Sequence, residues 1–129
     1  MVWMMAHRKI VVMGGSFNPP TIAHLKLMER ALSHLTLRTP DVYAKGIFVP
    51  SSDAYVSRKI ERLPSENGQE ALSEKLRFDM LQSFHHLNSR LTVDGRELGT
   101  NEIRGHTIDT LRAIQQENPD SDTGLRLYL

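Results

Sequence analysis

The sequence contains no cysteine, which excludes disulfide bridges, zinc–thiolate sites and thiol nucleophiles. It also lacks any apolar run approaching the roughly 20 residues of a membrane-spanning helix. The apolar opening Met1-Val2-Trp3-Met4-Met5-Ala6 is too short for a secretory signal core, and the basic Arg8 and Lys9 follow it instead of preceding it. Neither sign of charge dominates: 16 Lys and Arg stand against 15 Asp and Glu, a formal net charge of +1. That balance gives no bulk reason to expect nucleic acid or a membrane as a partner. No internal repeat, low-complexity tract or domain linker divides the chain. What remains is 129 residues, 40% hydrophobic and 24% charged, the length of one domain and enough to bury a core. A cytoplasmic location is the default expectation.

The stretch from Lys9 to Leu25 organises everything else. Lys9-Ile10-Val11-Val12-Met13 is rich in β-branched residues and reads as a buried strand. Gly14-Gly15-Ser16-Phe17-Asn18-Pro19-Pro20 breaks it, because glycine opens backbone angles that other residues avoid and proline fixes its own. From Thr21 a helical pattern begins, with Leu25, Met28, Leu32 and Leu35 on one face. A strand, a glycine-rich turn and a helix aim free backbone N–H groups and the positive helix end at one place, where phosphate is the usual occupant. Thr21 is a candidate N-cap. His24, in the first turn, has an ordinary pKa of about 6.5 and can hydrogen-bond in either protonation state.

The helix is expected from about Thr21 to Leu35 and finished before Thr39-Pro40. Lys45-Gly46-Ile47-Phe48-Val49-Pro50 reads as a second strand, so a right-handed βαβ crossover and a parallel sheet follow. Ligands of such sheets gather at the carboxyl ends of the strands, where Ser51, Ser52, Asp53 and Tyr55 emerge. From Ser51 to about Gly68 the periodicity is lost and a long loop is expected. A second helix should start near Glu70 to Ser73 and reach Leu87, with Leu76, Met80, Phe84 and Leu87 on its apolar face and Leu72 and Leu81 alongside. His85 and His86 point about 100° apart on a helix and make a poor metal pair. Leu91-Thr92-Val93-Asp94 reads as a third strand, with Asp94 and Glu97 expected near the crevice. Thr107 caps a third helix, in which Ile108, Leu111 and Ile114 share a face and Asn118-Pro119 ends it. Leu125 to Leu129 reads as a fourth strand. The expected fold is α/β, a Rossmann-like doubly wound parallel sheet of about four strands with helices on both faces.

Gly-Ser-Phe-Asn-Pro-Pro-Thr-x-x-His, from Gly15 to His24, resembles the signature of the H/T-x-G-H nucleotidyltransferase superfamily, and within it the nicotinamide/nicotinate mononucleotide adenylyltransferases. Thr21 takes the first motif position, and Ala23 stands where the motif has glycine. Further points of likeness are Tyr55, Arg58 and Lys59 against a Tyr-x-Lys-Lys-like segment, and Arg77 to Met80 against an Arg-x-x-Met helix. Glu97-Leu98 and Thr107 to Leu111 continue it, with Gly105-His106 replacing the family's Ser-Tyr. The likeness covers about Lys9 to Leu129 but only the first part of the family, without its Gly-x-Asp and its later phosphate-gripping Ser-Ser/Thr-x-x-Arg/Lys motif.

The resemblance implies joining of ATP and a pyridine mononucleotide into a dinucleotide, NAD or its deamido form, with release of pyrophosphate. It implies His24 and Thr21 as catalytic residues, and Gly14, Gly15, Ser16, Phe17, Asn18, Tyr55, Lys59 and Thr107 as nucleotide-binding residues. Mg²⁺ is expected to enter with ATP, and no protein metal site is expected. Residues 1–129 are expected to form one domain, incomplete at its C-terminus, a poor catalyst alone, with an uncovered sheet edge that invites homo-oligomers. The alternatives are a non-catalytic nucleotide-binding module and a sister transferase with another phosphate acceptor, such as phosphopantetheine. A dehydrogenase-type binder fits worst, because the turn lacks G-x-G-x-x-G spacing.

Overall fold

The computed structural model describes residues 8–38, 43–61, 71–99, 107–119 and 121–124. In chain order the elements are β1 (Arg8–Gly15), α1 (Ile22–Arg38), β2 (Ala44–Pro50), α2 (Asp53–Glu61), α3 (Glu74–Leu87), β3 (Leu91–Val93), α4 (Thr107–Glu117) and β4 (Ser121–Gly124). The four strands form one parallel sheet in the order β3-β2-β1-β4. The strands step outward from β1 to β3, and β4 then returns to the far side of β1. The order therefore reverses beside β1, and a crevice opens at such a point above the carboxyl ends of the strands.

Alternation along the strands sends successive side chains to opposite faces. Val11 and Met13 of β1 and Phe48 of β2 meet Leu25, Met28, Ala31 and Leu32 of α1 and Leu81 and Phe84 of α3. Ile10, Val12, Ile47 and Val49 face the other way, against Leu111 and Ile114 of α4. Helices thus cover both faces, and the sheet is the doubly wound one expected. Gly46 is where α1 comes closest: a Cβ there would lie 2.6 Å from Met28 Sδ and 3.1 Å from Leu91 Cδ2.

Several local expectations need correction. α1 continues three residues past Leu35 to Arg38, up to the limit that proline imposes on the residue ahead of it. The expected long loop after β2 instead begins with the nine-residue helix α2. Ser52 caps it, its Oγ accepting from the Tyr55 N–H at 3.2 Å, with Asp53 in the first turn and buried Val56 as its anchor. On α3 the buried side is Arg77, Leu81 and Phe84, while Leu76 and Leu87 are exposed. The buried stripe is set one position round from the apolar one, because a fully buried arginine shares it. On α4 the inward residues are Thr110 and Ile114, and Ile108 faces out. The fourth strand comes earlier than expected: Ser121–Gly124 pairs with Arg8–Val11. No β-branched pattern marks those residues, and the pairing with β1 imposes the strand. Leu125 to Leu129 and Gly105-His106 lie outside the described residues.

Candidate active site

β1 ends in Gly14-Gly15, and the chain then passes through Ser16 to Thr21 into α1. A cavity of about 450 Å³ opens there. Gly14, Gly15, Ser16, Phe17 and Asn18 line it from the turn, Ala23, His24 and Leu27 from α1, and Val56, Lys59 and Ile60 from α2. Neither Gly14 nor Gly15 has a positive φ, contrary to the expectation that the turn needs glycine for its angles. A Cβ on Gly15 would make ordinary contact with the Phe17 ring at 3.5 Å, and one on Gly14 would lie 3.9 Å from the Val49 carbonyl oxygen. The glycines therefore leave room beside the cavity instead of supplying unusual angles.

The left-handed residue is Phe17, with φ +48°. A phenylalanine pays strain in that region, and packing holds it there. Its ring is buried, edge-on to His24 with centroids 5.0 Å apart and to Phe48 at 5.7 Å. Beside it, Ser16 Oγ is buried and has no hydrogen-bond partner among the described residues. A buried hydroxyl without a partner is uncommon in folded proteins, and its residue is one of those that line the cavity.

Thr21 and His24 form a reciprocal cap. Thr21 O accepts from His24 N–H at 3.0 Å, while the Thr21 N–H donates to His24 Nδ1 at 2.9 Å. His24 stands where a capping box has Glu or Gln. Because Nδ1 accepts, the ring proton of the neutral imidazole sits on Nε2. Thr21 Oγ1, 3.0 Å from Nδ1, reinforces that placement. Partial burial pushes the His24 pKa below its ordinary value, and the Thr21 N–H, a donor to the neutral ring, acts in the same sense. His24 is thus an Nε2–H donor near neutral pH, not a standing positive charge.

The remaining expected site residues separate into groups. Lys59 lines the cavity from the last turn of α2. Asn18 lines it too, and its Oδ1 accepts from the Leu72 N–H at 2.8 Å, tying the turn to the segment before α3. Tyr55, half-buried on α2, and exposed Arg58 are not among the lining residues; Thr107 is the first residue of α4. Asp94 and Glu97 also stand apart from the lining. Burial works against the Asp94 carboxylate, but hydrogen bonds and charge from Arg96 outweigh it and hold its pKa below the ordinary value. Arg96 in turn reaches Glu117 at 2.6 Å. Among the described residues no group of three His, Asp or Glu could hold a metal ion. His85 Nδ1 lies 2.7 Å from the Leu91 carbonyl oxygen, a structural contact.

One residue beside the cavity carried no clear role in the sequence. Arg77 is fully buried and spends its guanidinium on the loops around the site. It donates to Ser16 O at 2.8 Å, Ser51 O at 2.7 Å and Leu72 O at 3.0 Å, and pairs with Asp53 at 3.2 Å. Its signal in the sequence is spacing: Arg77, Leu81 and Phe84 fall on one helical stripe.

Residues 12–125 match the family model described as cytidylyltransferase-like. The chain belongs to that family. It is 35% identical over 119 residues to nicotinamide/nicotinic acid mononucleotide adenylyltransferase 2 of Caenorhabditis elegans, across 89% of this chain and 48% of that protein. It is 32% identical over 114 residues to a probable nicotinate-nucleotide adenylyltransferase of Listeria monocytogenes, across 88% of this chain and 52% of that protein. A probable nicotinate-nucleotide adenylyltransferase of Maridesulfovibrio salexigens is 31% identical over 88% of this chain and 45% of its own length. The chain spans about half the length of these relatives. Among the described residues of this family member, no helix is long and apolar enough to cross a membrane.

Proposed function

We propose that this chain carries the adenylyl-transfer site of a pyridine-mononucleotide adenylyltransferase. The observation that carries the reading is the convergence at one cavity of the open Gly14-Gly15-Ser16 turn and the Nε2–H tautomer of His24. The names of its relatives support a pyridine mononucleotide as the acceptor. A phosphate oxygen of the mononucleotide attacks the α-phosphorus of ATP, a P–O–P bond forms, the bond to the β-phosphate breaks, and pyrophosphate leaves. The nucleophile is already ionised at neutral pH, so no general base is needed. The protein's part is alignment and stabilisation of negative charge.

In that scheme the positive end of α1 and the turn's backbone donors face the phosphates. His24 Nε2–H donates to an oxygen that gains charge in the transition state, and Thr21 holds the ring in the required tautomer. Lys59 supplies positive charge from the opposite wall. Mg²⁺ comes and goes as the ATP complex, in the cytoplasm. Tyr55, outside the cavity lining, is left for the mononucleotide, and Thr107 is assigned to it as well.

The test is chromatographic detection of dinucleotide after incubation with Mg-ATP and either nicotinamide or nicotinate mononucleotide. In a version complete over the length of its relatives, dinucleotide is expected, with turnover in His24→Ala lower by about a hundredfold or more and the circular dichroism spectrum unchanged. Near-normal turnover in a folded His24→Ala protein would remove His24 from the chemistry.

A further inference from the structure

Three carbonyl groups and one carboxylate converge on a guanidinium that water does not reach. The three acceptors come from three different segments: Ser16 from the turn after β1, Ser51 from the end of β2, and Leu72 from just before α3. Asp53, the first residue of α2, supplies the charge partner and is itself half exposed. One turn earlier on α3, Glu74 accepts from the Asp53 N–H at 2.8 Å and from the Gly99 N–H at 3.0 Å. The first turn of α3 therefore ties together the chain leaving β1, β2 and β3.

We infer that Arg77 is the positioning residue of the phosphate turn: by fixing the Ser16 carbonyl it presents the Phe17 N–H to the cavity as an anion donor. A trans peptide is planar, with its N–H directed opposite its C=O. The Ser16 oxygen points at Arg77, so the Phe17 N–H points away from it, at a position where Ser16 and Phe17 both line the cavity. No hydrogen bond from that N–H exists among the described residues. The left-handed φ of Phe17 is the second half of the same geometry, since a left-handed residue in a turn makes the concave backbone nests that hold anions. Without a fixed Ser16 carbonyl, rotation of this peptide would release the Phe17 strain and withdraw the donor. The guanidinium reaches its acceptors from Nε, Nη1 and Nη2, whereas the three donors of lysine radiate from a single nitrogen, so lysine is not a substitute.

The inference rests on the proposed phosphate-binding role of the cavity, and the experiment separates the two. In the full chain labelled with ¹⁵N, inorganic pyrophosphate and Mg-ATP are titrated separately while amide resonances are followed. The wild-type Ser16 and Phe17 amides are expected to shift. In Arg77→Lys those shifts should vanish and affinity for both ligands fall about tenfold or more, the worth of one hydrogen bond to a charged group. The amides of Val11 and Leu32 should keep their wild-type positions, which a general loss of structure would not allow. An Arg77→Lys protein with intact core resonances and wild-type pyrophosphate shifts at Phe17 would overturn the inference alone. Wild-type protein that binds neither ligand would overturn it together with the phosphate reading. Should Arg77→Lys not fold, the wild-type guanidinium decides. Slowly exchanging, separately resolved Arg77 N–H signals are expected, and a single averaged signal exchanging freely with water would refute the clamp.

Discussion

On one face of the sheet, α1 and α3 bury Met28, Leu32, Leu81 and Phe84 over Val11, Met13 and Phe48, and the turn's own Phe17 belongs to that core. On the other, the described part of α4 sets Ile114 and Leu111 over Ile10, Val12, Ile47 and Val49, and no residue of the turn takes part. The difference shows which packing controls the site. The turn is anchored in the α1/α3 face twice, by the Phe17 ring against Phe48 and by the Ser16 carbonyl on Arg77. A change in that face should reach the cavity, and an equal change in the α4 face should not.

The largest expected effect comes from removing the shared anchor. Phe48 is fully buried between Phe17 and Phe84, so Phe48→Ala should cost about 3–5 kcal/mol in urea unfolding. It should also weaken Mg-ATP binding under conditions where the variant is still folded. Gly46→Ala comes next. Its Cβ would collide with buried Met28 in the α1/α3 face, and the resulting overpacking should cost about 1–3 kcal/mol and weaken nucleotide affinity, though less than Phe48→Ala does. The control on the opposite face is Ile47→Val, expected to cost about 0.5–1.5 kcal/mol and to leave Mg-ATP affinity unchanged. If Ile47→Val weakened binding as much as Phe48→Ala, the distinction between the faces would fail.

The smallest effect is on pH. The His24 pKa is lowered in the folded protein, so below the ordinary value of about 6.5 the unfolded chain binds more protons than the folded one. Stability should then rise with pH through the window from the lowered pKa up to about 6.5, and this contribution is lost as pH falls below that window. To isolate His24 from the five other histidines of the chain, the quantity to measure is the melting temperature of wild type minus that of His24→Gln across this range. A difference that does not change with pH would contradict the neutral, capped state of His24.

Much of this architecture is legible in the sequence because local signals and tertiary packing agree. β1, the glycine turn and α1 carry a β-branched run, breakers and a helical stripe in succession, and the structure keeps all three. α2 was legible in principle: Ser52 followed by Asp53, with Val56 and Ile60 four apart, is a short capped helix that its many charged residues obscure. The stripe on α3 differs from the apolar pattern because an arginine occupies a core position, and its partners lie 5, 26 and 61 residues away. No window along the chain contains them. The role of Thr21 likewise needs geometry, since the sequence suggests a cap but cannot show that His24 completes it. β4 was hidden because Ser121–Gly124 is a strand through its pairing with β1, not through its residues.

The central claim, that the end of β1 is where nucleotide phosphates bind, is tested most directly by mapping Mg-ATP onto the full chain by amide shifts. The largest shifts should fall on Gly14 to Asn18, His24 and Lys59, with the α4 face at Ile114 unmoved. Saturable ATP binding that leaves Gly14 to Asn18 and His24 untouched would place the nucleotide elsewhere and contradict the claim.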